Sequence, residues 1–276
     1  MDKMEGKKNI RLKLALLAAP GGVYSQFLQL LYGISRLEDM GDVYYELPFV
    51  GVFNKWWNLK QIENTRIPVH ETDNPLDWVF DQHYDDSYTL IDVLDGCGEK
   101  ICDPIQESSN YDLWKTRIKQ IKIKNHIMDT VNEFCANNIN SHTLGVHVRT
   151  SDMNLTHPEY GIFTTDDYIL KIREIIKTEE ITNIFVASDN YFSINAIQEE
   201  FKNTVYFNCK LRQKSDVGWY GETSINIAHK NDPLLWEEAF IECLILSRCN
   251  KLLHRYSGFA NAAIIFSDTI TQIYRL

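Results

Sequence analysis

The stretch Leu144-Gly-Val-His-Val-Arg-Thr-Ser-Asp152 decides the fold class. Its apolar first half reads as a buried strand, and its polar second half as the turn that follows. The strand delivers His147, Arg149 and Asp152 at its carboxyl end, in an H-x-R-x-x-D arrangement. Side chains alternate along a strand, so His147 and Arg149 point to one side. One can face a base or a sugar while the other faces phosphate. A guanidinium suits the second task because it stays charged and offers a planar fork of donors. A structural Arg149–Asp152 pair, with His147 packed beside it, accounts for the same residues.

Working outward, the chain alternates between strand and helix. After Asn137-Asn138 come a strand at 143–148, a helix at 166–177, a strand at 183–187, a helix at 193–201 and a strand at 204–207. A polar loop spans 210–231, followed by a helix at 234–247, a strand at 251–253, a helix at 259–266 and a last strand at 270–274. That order predicts a parallel sheet with helices on its faces. Upstream, apolar residues from Leu113 to Cys135 recur at helical spacing and predict one long amphipathic helix. Towards the amino terminus, a strand at 11–18, a glycine turn, a helix at 24–39 and a strand at 42–49 form a βαβ unit. A further strand fits 88–93, within a stretch, 51–110, of poor periodicity. The expected organisation is an α/β chain of two Rossmann-like domains, 1–138 and 139–276, facing a central cleft. Its functional residues should lie just after strands.

Two more strand ends carry polar groups. Ile184-Phe-Val-Ala-Ser-Asp-Asn190 ends a strand in Ser188 and Asp189. A carboxylate there can accept hydrogen bonds from a guanine edge or from ribose hydroxyls; taken alone, an N-cap or turn aspartate is the simpler explanation. Leu252-Leu-His-Arg-Tyr-Ser-Gly-Phe-Ala260 turns through Ser257 and Gly258 into a helix of small residues. The free amides at such a helix start bind phosphate, Gly258 permits close approach, and Ser257 adds a hydroxyl. An ordinary capped turn is the plain alternative. The first βα turn, Ala19-Pro-Gly-Gly-Val-Tyr-Ser-Gln-Phe-Leu-Gln29, has neither the G-x-G-x-x-G spacing of a dinucleotide fold nor the Gly-Lys-Ser/Thr ending of a P-loop.

Bulk properties narrow the function classes. A formal charge of −10 and a pI near 5.3 argue against a basic face for nucleic acid or an anionic membrane. Six scattered cysteines, Cys97, Cys102, Cys135, Cys209, Cys243 and Cys249, read as small core residues rather than a disulfide framework or a metal site. The basic and apolar start imitates a signal peptide, but Leu14 to Ala19 is short and runs at once into Pro20-Gly21-Gly22, as a buried strand entering a turn would. No later segment approaches the roughly 20 apolar residues of a membrane span. A cytoplasmic protein with no integral membrane segment is expected.

Taken together, these segments resemble the fucosyltransferase superfamily of α1,2-, α1,6- and protein O-fucosyltransferases. The likeness covers mainly 141–267, plus the glycine turn at 20–29. His147, Arg149 and Asp152 are similar to its H-x-R-x-x-D motif, Ser188-Asp189 to its strand-end Ser/Thr-Asp, and Ser257-Gly258-Phe259 to its Ser-Ser-Phe turn. Glu242 to Cys249, ECLILSRC, resembles the helix that precedes that turn, and Gly21-Gly22 opens a turn similar to the family's G-G-L-G-N-Q-L-F-Q, with Tyr24 and Ser25 in place of its glycine and asparagine.

The resemblance implies a GT-B glycosyltransferase that moves fucose from GDP-fucose to a hydroxyl of a glycan acceptor, by inversion and without a metal or other cofactor. It implies that His147 and Asp189 contact guanine or ribose and that Arg149 binds the diphosphate. Ser257, Gly258 and Phe259 complete the phosphate site; Ser188, Gly21 and Gly22 join the donor-binding set. Asp152, Asp39 and Glu46 are candidate bases, and the loop 216–231, with Trp219, Tyr220 and His229, is a candidate cover. Another nucleotide sugar as donor, a non-catalytic nucleotide- or glycan-binding module, and a purely structural α/β protein remain the alternatives.

Overall fold

The structure, a computed structural model, describes residues 105–119, 123–150, 154, 161–210 and 233–276. The chain divides into two compact units, 1–124 and 125–276. The strands expected at 11–18, 42–49 and 88–93, the helix at 24–39, Cys97, Cys102 and most of the polar loop lie outside the described residues.

In the first unit the described residues form a single 3-10 turn, Ile105–Glu107, and helix α1, Tyr111–Ile118, with Trp114 and Ile118 buried. The second unit opens on helix α2, Asn125–Asn138. The single long helix expected from 111 to 135 is therefore two helices. Between them, Ile121-Lys-Ile-Lys124 alternates with period two, a rhythm that a helix of 3.6 residues per turn cannot keep on one face; Ile123 makes an isolated β-bridge. Helix α2 groups with the second compact unit.

The rest of the second unit follows the predicted alternation closely. Strand β1 is Thr143–Val148, helix α3 Thr165–Thr178, strand β2 Asn183–Ser188, helix α4 Tyr191–Glu200 and strand β3 Thr204–Val205. Helix α5, Pro233–Leu246, strand β4, Lys251–His254, helix α6, Gly258–Phe266, and strand β5, Gln272–Arg275, complete it. All five strands are parallel, in the order β3-β2-β1-β4-β5.

Central β1 is buried along its whole length, as a strand covered on both faces must be. On one face Leu144, Val146, Val148, Ile184, Val186 and Leu253 meet Tyr168, Ile172 and Ile175 of α3 and Ile194 and Ile197 of α4. The opposite face carries Gly145, His147 and Phe185. There Phe134 of α2 packs edge-on against Phe185, with ring centroids 5.7 Å apart. Helix α5 lies against α2, α6, β1 and β2. It is buried at every position from Phe240 to Leu246, which explains why its sequence is apolar all round. It also explains Gly145: a Cβ there would stand 2.7 Å from Leu246 Cδ1 and 3.0 Å from Cys249 Cβ. Cys243 and Cys249 are buried, in keeping with their reading as core residues, whereas Cys135 and Cys209 are half-buried.

Candidate functional site

The strand order reverses between β1 and β4. From β1 the chain builds outward through β2 and β3, then crosses back to place β4 on the other side. In an open parallel sheet the crevice beyond the carboxyl ends at such a reversal is where ligands bind. The described residues among those singled out in the sequence lie at this end because their strands run parallel.

Register does the first part of the work. His147 is paired with Ala187 on one side and His254 on the other, and Val148 is paired with Ser188. His147 and His254 therefore project from the same face of neighbouring strands. The His147 imidazole stacks on the Phe259 ring, with centroids 4.5 Å apart and planes 14° from parallel. Burial, then the positive charges of Arg149, His254 and Arg255, push the His147 pKa well below the usual histidine value, so the ring is neutral. Its Nδ1 is buried without a hydrogen-bond partner, a polar atom left available for a ligand or a water.

Arg149 leaves β1 one residue after its end. Its Nη1 stands 3.8 Å from Asp189 Oδ2, the residue that follows β2; the two side chains are 20% and 7% exposed. Arg149 thus forms an ion pair with Asp189, two strand ends meeting; Asp152 lies outside the described residues. The Arg149 amide donates to the Tyr168 hydroxyl at 3.3 Å, and burial raises the pKa of that phenol, which stays protonated. Ser188 is buried, and its Oγ accepts from the Asn190 amide at 3.1 Å, so it shapes the turn; Asn190 in turn caps α4 by accepting from the Phe192 amide at 2.8 Å.

Ser257 is the N-cap of α6. Its Oγ accepts from the Phe259 amide at 3.2 Å, and its carbonyl accepts from the Asn261 amide at 3.0 Å. Accepting leaves the hydroxyl proton of Ser257 as a donor. A helix start has amides with no intrahelical acceptor; with those of Phe259 and Asn261 engaged, the amides of Gly258 and Ala260 are the pair placed to meet an anion, reinforced by the helix dipole.

Seven of the predicted site residues, His147, Arg149, Ser188, Asp189, Ser257, Gly258 and Phe259, thus stand at three adjacent strand ends. Gly21, Gly22, Asp152, Asp39, Glu46, Trp219, Tyr220 and His229 lie outside the described residues. The sequence reading passed over Tyr168, His254 and Arg255. None of the three carries a motif that would mark it in the sequence. Among the described residues no group of His, Cys, Asp and Glu side chains could hold a metal ion, and no helix is long and apolar enough to cross a membrane.

No protein-family model and no curated protein sequence matches the chain. Solved structures do. NodZ α-1,6-fucosyltransferase soaked with GDP-fucose is 13% identical over 94% of this chain and 93% of that chain, with a TM-score of 0.53. NodZ from Bradyrhizobium is 12% identical over 94% of each, with a TM-score of 0.52. POFUT1 in complex with GDP-fucose is 11% identical over 97% of each, with a TM-score of 0.49. In fold, this α/β chain with its parallel sheet is similar to the NodZ structures.

Proposed function

We propose that the protein is a glycosyltransferase that transfers fucose from GDP-fucose to a hydroxyl of a glycan or glycoconjugate acceptor. The observation that carries this reading is the meeting of His147 with Phe259 and of Arg149 with Asp189 at the reversal of a parallel sheet, in a fold shared with NodZ. The GT-B arrangement of two Rossmann-like domains, with the amino-terminal part of the chain serving the acceptor, belongs to the same proposal.

In this reading the neutral His147 and the Asp189 carboxylate contact guanine or ribose, while Arg149 turns its guanidinium to the diphosphate. The acceptor oxygen attacks the anomeric carbon, the bond from that carbon to the β-phosphate oxygen breaks, and the electron pair leaves with GDP. Negative charge therefore grows on the β-phosphate as the bond stretches. Arg149 and the Gly258 and Ala260 amides stabilise it without reorganising, which is the term that usually contributes most to such catalysis. Configuration inverts because the attack comes from the face opposite GDP. Neutralisation by these groups is why we propose a metal-independent reaction; Asp152, Asp39 and Glu46 are the candidate bases for the acceptor proton.

Calorimetric titration of GDP, with ADP and UDP as controls, into the wild type and a folded Arg149→Ala variant tests the site. Guanine-selective binding, weakened about tenfold or more by the substitution, is expected, since a charge-assisted bidentate contact is lost. A well-folded wild type that binds none of the three nucleotides would overturn the proposal. Transfer or hydrolysis of GDP-fucose, unchanged by excess chelator, separates a metal-independent enzyme from a protein that only binds nucleotide.

A further inference from the structure

Arg255 is one of the largest side chains in the second unit to be fully buried, at 1% exposure, and it follows β4 at the rim of the crevice. A guanidinium taken out of water needs partners for its donors, and in Arg255 the two terminal nitrogens have them while the buried Nε has no hydrogen bond. Nη1 donates to the Arg149 carbonyl at 3.2 Å and to Asn154 Oδ1 at 2.6 Å, and Nη2 donates to the Gly161 carbonyl at 2.7 Å. The cation lies 5.0 Å from the centre of the Phe163 ring. Asn154 extends the reach, its Nδ2 donating to the Phe163 carbonyl at 2.7 Å and its Oδ1 accepting from the Phe163 amide at 3.2 Å. Gly161 has φ 91°, and a Cβ there would stand 2.7 Å from the Phe163 ring, so this tight turn is open to glycine alone.

One side chain from the end of β4 thus holds the connection between β1 and α3 at both of its ends, at 149 and at 161–163. The consequence for Arg149 is specific. Its carbonyl is held by Arg255 and its amide by Tyr168, so the peptide groups on both sides of its Cα are fixed. The direction in which the Arg149 side chain leaves the backbone is set before any ligand arrives. Were packing the only requirement, an apolar side chain of similar volume would serve without the desolvation of a buried charge.

We propose that Arg255 is a positioning residue for the diphosphate site, fixing the backbone from which Arg149 reaches the donor. The proposal rests on the donor reading above. Preorganised placement of this kind matters because small displacements of a charge-bearing group weaken its contact steeply.

The test uses Arg255→Lys, which keeps the charge and loses the fork. Hydrogen exchange without ligand reads the latch: the Arg149 and Phe163 amides should exchange faster in the variant. Calorimetry reads its consequence: GDP affinity should fall about tenfold, while guanosine, which has no phosphate for Arg149 to hold, binds as in the wild type. A merely structural role would lower the thermal midpoint and leave both affinities of the folded fraction unchanged, and that result overturns the proposal. So does unaltered exchange at the two amides, or equal losses for GDP and guanosine. A wild type that binds guanosine and GDP equally, or neither, refutes the donor reading in its own arm, and with it a diphosphate role for Arg255. Should Arg255→Lys not fold, Asn154→Ala removes one acceptor of the fork and both bonds to Phe163; the same directions with about a threefold loss of GDP affinity are expected, and unchanged exchange with unchanged affinity overturns the proposal.

Discussion

Asp189→Asn should make the site bind inorganic pyrophosphate more tightly while weakening its grip on guanosine. Arg149 is 3.8 Å from the Asp189 carboxylate, so a diphosphate must compete with that carboxylate for the guanidinium. Coulomb's law at that distance gives about 4 kcal/mol at an effective dielectric of about 20, an upper figure. The two side chains are 20% and 7% exposed, so desolvation offsets most of that attraction and leaves a net of about 1 kcal/mol. Removing the carboxylate also removes its repulsion of the incoming phosphates. A pyrophosphate affinity three- to tenfold above wild type is expected, since about 1.4 kcal/mol is a factor of ten. Guanosine should bind more weakly, because the amide is a poorer acceptor for a guanine edge or a ribose hydroxyl than a carboxylate. Calorimetry with the two probes separately, on protein whose thermal unfolding matches the wild type, reads both signs. Pyrophosphate binding that stays the same or weakens would refute the idea that Asp189 and the diphosphate share Arg149.

Two other outcomes concern the scaffold. Gly145→Ala should destabilise the second unit by about 1–3 kcal/mol, because the new methyl meets Leu246 and Cys249 in a packed interior; a urea midpoint equal to that of the wild type would contradict this packing. For His147, the folded-state pKa is depressed, so the unfolded chain binds the extra proton and stability rises with pH. Its contribution is fully present above the unfolded value of about 6.5 and is lost as pH falls through the window below it. Urea unfolding at about pH 7.5 and about pH 5.5 should show a smaller difference in His147→Gln than in the wild type; an equal difference would mean that another group titrates.

The second unit was largely legible in the residues because its signals are local. A buried parallel strand is a short apolar run whatever lies beside it, and Thr143–Val148, Asn183–Ser188 and Lys251–His254 stand where those runs are. Helix caps are local too, which is why Asn190 and Ser257 begin helices where their types suggest. The break between α1 and α2 was missed because the apolar positions on either side share one helical period, and only the short alternating run at 121–124 interrupts it.

Partnership is another matter, since it depends on residues far apart in the chain. The spacing H-x-R-x-x-D draws attention to a carboxylate three residues along the chain; the Asp189 carboxylate that stands 3.8 Å from Arg149 comes from the end of the next strand, brought close by parallel register. The same register sets His147 beside His254, and the return of the chain through α6 lays Phe259 on the His147 ring. Arg255 gives the clearest case. In sequence it is one charged residue in a turn, and what makes it the anchor of the Arg149 backbone is three acceptors that lie 94 to 106 positions earlier. Residue type and periodicity dictate which elements form and which chemistry each strand end carries, because those preferences act over a few neighbours. Which of those groups pair, lose their water or become neutral follows from sheet order and packing, which exist only once the whole unit has closed around them.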